Sequence, residues 1–393
     1  MLVESPEAAG AADAIPATLR DGYEVHRAAL RHGLDVVLYP RQVLIASPPG
    51  GGPELAFVHG VPQTSTLAAV TYAQDKRMRR ELLERAGLPV PPGATFAIGR
   101  DRKRAREFAG QIGYPVVVKP AVGDNLSEVF PGIRDERQLD EAIDYLRIPE
   151  SERPTFSRAA YGLTLLLEPD EEDGREVAPS GYQFLLERHV NGQYLRILVL
   201  DQQPVSAIQL GPAGTPNQEV ISEIHPSVRA LASEAAGVIP GLAVANVDLV
   251  LDDHRRPVAE QAYQIVDLAE RPWLATQASV SEALSHQVGD AILASHAAAR
   301  SIQLGPVRDD VSLDVRVEGA TDPEGAAAAI ARAAEELGLV NTIRVSDPVE
   351  GTAEGSIQGP PGQLSWVFES LLDGRLHGQR AMLVDQRSTG ATA

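Results

Sequence analysis

The segment Tyr114-Pro-Val-Val-Val-Lys-Pro120 constrains this chain more than any other. A run of three valines favours a pleated, buried strand, and Pro120 cannot donate to a sheet ladder, so the strand stops there. A fully buried ammonium is costly. Lys119 is therefore expected at the mouth of a sheet, where a phosphate could meet it. Further on, Val244-Ala-Asn-Val-Asp-Leu-Val-Leu251 and Tyr263-Gln-Ile-Val-Asp-Leu-Ala269 each read as a strand carrying one carboxylate among apolar neighbours, Asp248 and Asp267. Their separation, 267 minus 248 or 19 residues, suits adjacent antiparallel strands joined by a turn at Asp252 to Pro257. Two carboxylates on one face suit a hard cation such as Mg2+ that bridges phosphate oxygens.

Composition narrows the remaining classes. With 393 residues, 44% of them hydrophobic, the chain is long enough for two or three domains with ordinary cores. A net charge of -19 opposes nucleic-acid and anionic-membrane partners, which the overall field would repel. There is no cysteine, which excludes disulfides, thiolate metal sites and cysteine nucleophiles and fits a cytoplasmic protein. Residues 1–20 carry Glu4, Glu7 and Asp13 where a secretory signal needs a basic start, so they read as a loosely packed tail. No apolar run approaches the roughly 18 residues of a membrane span.

The periodicities give an α+β chain. Tyr23 to Arg31 has helical spacing, and Leu34 to Tyr39 and Gln42 to Ala46 read as short strands of a small N-terminal α/β unit over residues 1–72. One helix is expected to run through Asp75-Lys76 and close at Ala86-Gly87. Helices follow at 102–111 and 135–147, the latter with Leu139, Ile143 and Leu146 on one face. Pro149 to Ser180 is rich in Pro, Glu and Asp and reads as an irregular insertion. From Ser312 the pattern becomes strand (Leu313 to Val317), helix, strand (Leu339 to Val345), strand (Ala353 to Gln358), helix, strand (Gln379 to Asp385), which is a βαββαβ order of ferredoxin-like type over 310–388.

Glu354-Gly-Ser-Ile-Gln-Gly359 and the helix carrying Trp366 and Phe368 resemble acylphosphatase. The resemblance does not imply its activity. That family holds phosphate in a loop ending in arginine, whereas this chain has Gly319-Ala-Thr-Asp-Pro-Glu-Gly325, with no arginine.

Residues 73–304 carry Asp75-Lys76, Ala86-Gly-Leu-Pro-Val-Pro91, Gly113 to Pro120, Leu186-Glu187, Arg196-Ile-Leu-Val199, His225-Pro226, Val247-Asp-Leu-Val250 and Ile265-Val-Asp-Leu268, in that order. The series resembles the ATP-grasp superfamily of carboxylate-amine ligases, of the cyanophycin synthetase and bifunctional glutathione synthetase type. The resemblance implies ATP with Mg2+ (or Mn2+), held between two α+β subdomains. It implies Lys76, Lys119 and a catalytic Arg196 on the phosphates, and Asp248 and Asp267 on the metal. Glu187 is either an acceptor for the adenine amino group or part of a solvated edge cluster with Arg188 and His189. Ala269 stands where the family has a metal-binding asparagine, leaving Glu270 as a candidate replacement. The loop Gly123 to Val129 has one glycine and carries Asp124 and Glu128 where amides would cover phosphate.

The expected function is ATP-dependent joining of an amino acid or small peptide to an amine through an acylphosphate, with small-molecule partners and homodimerisation left open. The alternative is a nucleotide-binding pseudoenzyme or scaffold with the same fold and no turnover.

Overall fold

A computed structural model describes residues 15–122, 128–149, 152, 170–172, 175–178, 181–212 and 214–389. Residues 1–14 of the expected N-terminal tail, most of the loop at 123–129 and most of the insertion at 149–180 lie outside these residues, whereas Leu19 and Arg20, at the expected tail's end, are buried and Arg20 begins the helix Arg20–Arg31. The chain divides into two compact units. A terminal unit comprises residues 1–64, 211–219 and 271–393, and a central unit comprises 65–210 and 220–270.

In the terminal unit the βαββαβ segment forms strands in the spatial order Val340–Asn341, Thr352–Gly359, Val311–Glu318, Leu383–Ser388. The sheet does not end there. Leu383–Ser388 also pairs with Asp35–Tyr39, with Val37 opposite Asp385, and Val43–Ser47, Leu55–Val58 and Val61–Pro62 follow. The two ends of the chain thus share one sheet. The last strand lies later than the expected Gln379 to Asp385, and the expected strand Leu339 to Val345 is two pieces, Val340–Asn341 and Arg344–Asp347. Gly355 explains the break: a Cβ there would stand 2.6 Å from the Ile343 Cα, so only glycine lets the backbones approach.

The central unit contains two sheets. The first runs Gly93–Ala97, Gln183–Arg188, Val116–Pro120, Phe130–Ile133 and is covered by the helices Arg102–Ile112 and Glu136–Arg147. The second helix begins where Asp135 accepts a hydrogen bond from the Gln138 amide at 2.8 Å, and it buries Leu139, Ile143 and Leu146 as the spacing predicts. The second sheet places Gln193–Leu200 between Gln203–Leu210 and Val244–Leu251, with Tyr263–Ala269 beyond, over a core that includes the helix Pro226–Gly237. Val244–Leu251 is buried at every position, which is why it reads as a nearly continuous apolar run.

The single helix expected through Asp75-Lys76 is two helices, Leu67–Gln74 and Lys76–Arg85. Asp75 separates them with an extended backbone (φ −94°, ψ 105°), and its carboxylate caps the second helix by accepting from the Arg77 amide at 2.9 Å. An aspartate competes with the helix for backbone donors and is favoured at such a cap. Lys76 donates its amide to the Ala121 carbonyl at 2.8 Å, which fixes the start of the second helix beside the end of the Lys119 strand.

Candidate functional site

The sequence places Lys119 at a sheet mouth, in reach of solvent. The structure buries it, and its ammonium sits 2.6 Å from Glu187 Oε2 and donates to the Val266 carbonyl at 2.9 Å. Burial holds its pKa below the usual lysine value, while the Glu187 charge pulls the other way. Glu187 is not on an edge. Its strand, Gln183–Arg188, pairs with a neighbour on each side, and its other carboxylate oxygen accepts from Arg80 Nη1 at 2.8 Å. The carboxylate is thus clamped between Lys119 and Arg80 and is no member of a solvated cluster.

On the second sheet, Arg196 and Asp248 are directly opposed on neighbouring strands. The buried guanidinium forks onto the carboxylate, Nε to Oδ1 at 2.9 Å and Nη2 to Oδ2 at 2.7 Å, and the Tyr194 hydroxyl donates to Oδ2 at 2.7 Å. Burial and the Asp248 charge raise the Tyr194 pKa well above the usual phenol value, so it stays a donor. Asp248 is in turn directly opposed to Asp267, the pairing that the 19-residue spacing predicts. Asp267 is held by the Arg79 guanidinium, which also donates to the carbonyls of Ala73 (3.0 Å) and Leu268. Glu270 is buried one residue beyond its strand and accepts from Gln74 Nε2 at 3.2 Å. Gln193 accepts from the His254 amide at 3.0 Å.

Arg79, Arg80 and Tyr194 are participants that the sequence reasoning did not single out. A signal existed for the arginines. Lys76, Arg79, Arg80 and Leu83 recur at i, i+3, i+4 and i+7 and so share a helix face, and that face lines a cavity together with Lys119, Glu187 and Asp267.

The chemistry of this cavity suits a polyphosphate, because Lys76, Arg79, Arg80 and Lys119 converge on it. Its volume, about 20 Å3, is room for about one water molecule. A nucleotide therefore requires these ion pairs to part. The metal fits less well. Asp248 and Asp267 face one another, yet a guanidinium already neutralises each of them. Among the described residues, the grouping of three acidic or histidine side chains close enough for one ion is Glu24, Glu282 and His286, in the terminal unit. Those carboxylates are likewise engaged, by Arg27 and Arg20.

Residues 75–125 match the family described as carbamoyl-phosphate synthase L chain, ATP binding domain. A cyanophycin synthetase of Trichormus variabilis is 23% identical over 271 residues, covering 58% of this chain and 29% of the relative. Biotin carboxylase 1 of Bacillus subtilis is 26% identical over 204 residues, covering 52% of this chain and 41% of the relative. The chain thus spans less than half the length of these relatives. A D-alanine–D-alanine ligase structure from Bacillus anthracis aligns at 14% identity with a TM-score of 0.42, over 60% of this chain and 71% of that one. The stretch with the Asp75 cap and the Lys119 strand is thus similar to a family of ATP-binding domains, and it lies within a mixed helix and antiparallel-sheet unit.

Proposed function

We propose that the central unit binds ATP at the Lys76, Arg79, Arg80 and Lys119 cluster and that the chain is an ATP-dependent carboxylate-amine ligase acting on an amino acid or short peptide. The observation that carries this reading is the register of Asp248 against Asp267 beside buried Lys119, within a unit whose sequence matches ATP-binding domains. In such a reaction a carboxylate oxygen takes the terminal phosphoryl group as ADP leaves, and an amine nitrogen then displaces phosphate and loses a proton. The chain's own part is charge and position. Lys119 and Lys76 offset phosphate charge in a protein whose overall field repels it, and Arg196 holds Asp248 in one orientation. Glu187, released by Lys119, is an acceptor for an amino group on the base.

A second reading has its own support. Arg79 on Asp267 and Arg196 on Asp248 satisfy both carboxylates without a metal, as in a protein that binds nucleotide and does not turn it over. ADP formation across a library of amino acids and dipeptides, at millimolar Mg2+ or Mn2+ and with hydroxylamine to trap an acylphosphate, separates the two. Turnover with a trapped hydroxamate supports the ligase. ATP binding by calorimetry with no ADP from any pair leaves the scaffold, and absence of ATP binding removes both.

A further inference from the structure

Ion pairs border two cavities of the molecule in different ways. In the terminal unit a groove of about 740 Å3 is bordered by the helices Arg20–Arg31, Glu282–Ala299 and Pro361–Asp373, and there Arg27 is paired with Glu24 and Asp290, and Arg31 with Asp290, around open space. In the central unit the pairs stand on the two carboxylates expected to hold a metal.

The strand register shows how this comes about. Asp248 is opposed to Asp267, but the next pair along the ladder is Leu249 with Ile265, so Val266 is the extra residue of a β-bulge. A bulge disrupts the ladder locally and re-aims the groups beside it. Tyr263–Ala269 is also the outer strand of its sheet. Two of its carbonyls are taken by cations: Lys119 donates to Val266 at 2.9 Å, and Arg79 donates to Leu268.

Arg79 is held at three points. Its Nη1 donates to the carbonyls of Ala73 (3.0 Å) and Leu268, and its Nη2 donates to the Asp267 carboxylate. Asp248 is engaged as fully, accepting from Arg196 Nε and Nη2 and from the Tyr194 hydroxyl. Glu270 does not complete a cation site with them. Among the described residues, Asp248, Asp267 and Glu270 do not form a grouping whose ligand atoms all lie within 4.8 Å of one another, and Glu270 accepts from Gln74 instead.

A small divalent cation demands several oxygens in near-octahedral order. Here the carboxylate oxygens already accept from N–H and O–H donors, and a guanidinium on Asp267 repels a second cation brought to the same group. Drawing Arg79 away would leave a buried guanidinium without its counter-charge, which is costly.

We propose that Arg79 and Arg196 take the place of the divalent cation, so that the central unit binds ATP as the metal-free anion, with Arg79, Lys76 and Lys119 facing its phosphates. This rests on the reading that the central unit binds ATP and is independent of turnover. It has a consequence of unusual sign. Mg2+ in solution draws off free ATP and should therefore weaken binding.

The test is calorimetric titration of the full-length protein with ATP, in EDTA and at millimolar Mg2+. Apparent affinity should be at least about tenfold weaker in Mg2+, since only the metal-free fraction binds. Arg79→Gln should weaken binding in EDTA, and Arg79→Lys should recover part of the loss. Asp267→Asn, which keeps the shape of the side chain, should bind ATP in EDTA at least as tightly as the parent protein, because Asp267 is a counter-ion to Arg79 and not a metal ligand. Affinity that is equal or higher in Mg2+, or an Asp267→Asn loss confined to Mg2+, overturns the proposal. Binding that requires Mg2+ leaves the ATP reading standing and removes this inference alone, whereas no binding under either condition removes both.

Discussion

The ionic cluster of the central unit and the groove of the terminal unit use the same residue types to opposite ends. In the cluster, Asp248 and Asp267 lie on strands whose register brings Arg196 opposite one and whose neighbouring helix brings Arg79 onto the other, so charges cancel and the cavity shrinks to about 20 Å3. In the groove Arg27 and Arg31 share Asp290, and Arg27 is also held by buried Glu24 at 3.0 Å, yet a volume of about 740 Å3 stays open. Buried pairs fix a local arrangement and are costly to break singly; part-exposed pairs are replaceable by water or ligand. Paired charges can thus fill a cavity or line an open one.

The sharpest way to break this comparison is to remove one partner of the closed cluster. Asp248→Asn leaves the Arg196 guanidinium buried beside a neutral amide, and loss of one member of a buried pair typically costs about 3–5 kcal/mol. Urea unfolding of the variant should show a loss of that order; a loss below about 1 kcal/mol would mean that the cluster is hydrated and not closed.

The terminal unit offers a second buried contrast, one that titrates. Glu369 faces His26 at 3.7 Å, and burial, with Asp373 nearby, pushes its pKa from 4.5 up to about 8. Burial pushes His26 from 6.5 down to about 3, against the hydrogen bond that its Nε2 donates to Gln386 Oε1. The folded chain holds the Glu369 proton more tightly than the unfolded one, so its contribution is full below pH 4.5 and is lost as pH rises toward 8. His26 acts in the other direction, its contribution being full above pH 6.5 and lost as pH falls toward 3. Thermal unfolding across pH should show the terminal unit most stable between 4.5 and 6.5, declining on the alkaline side by an amount on the order of a few kcal/mol. Glu369→Gln should flatten the alkaline limb and leave the acid limb in place.

A smaller effect tests whether the closed cluster opens for ligand. Lys119→Ala removes one charge-assisted contact, worth about 1.5–3 kcal/mol, so ATP affinity measured by calorimetry should fall roughly tenfold or more. Unchanged affinity would move the phosphate site away from Lys119. The smallest effect is expected at the open groove. Asp290 is part-exposed, with its side chain 23% accessible, so Asp290→Asn should cost only about 1 kcal/mol in urea unfolding.

Several elements were legible because they are written locally. The Lys119 strand, the amphipathic helix read at 135–147, the 19-residue spacing that opposes Asp248 to Asp267, and the βαββαβ order near the carboxyl end all follow from periods of 2 and 3.6 residues. The helix break at Asp75 was misread because Asp75-Lys76 lies in an otherwise continuous helical pattern. What interrupts it is the backbone of Lys76 bonding to Ala121, 45 residues away.

The sequence by itself determined where carboxylates and cations stand along each strand and helix, and which of them face the same side. It could not assign partners. Arg79 reaches Asp267 across 188 residues and Arg196 takes Asp248 across 52, while Asp35–Tyr39 joins Leu383–Ser388 to make one sheet of both chain ends. Such pairings depend on loop closure and burial, in which many distant segments compete for the same charge or the same sheet edge. Tertiary packing decides them, since only a packed interior raises the penalty for an unpaired charge or strand edge enough to select one partner.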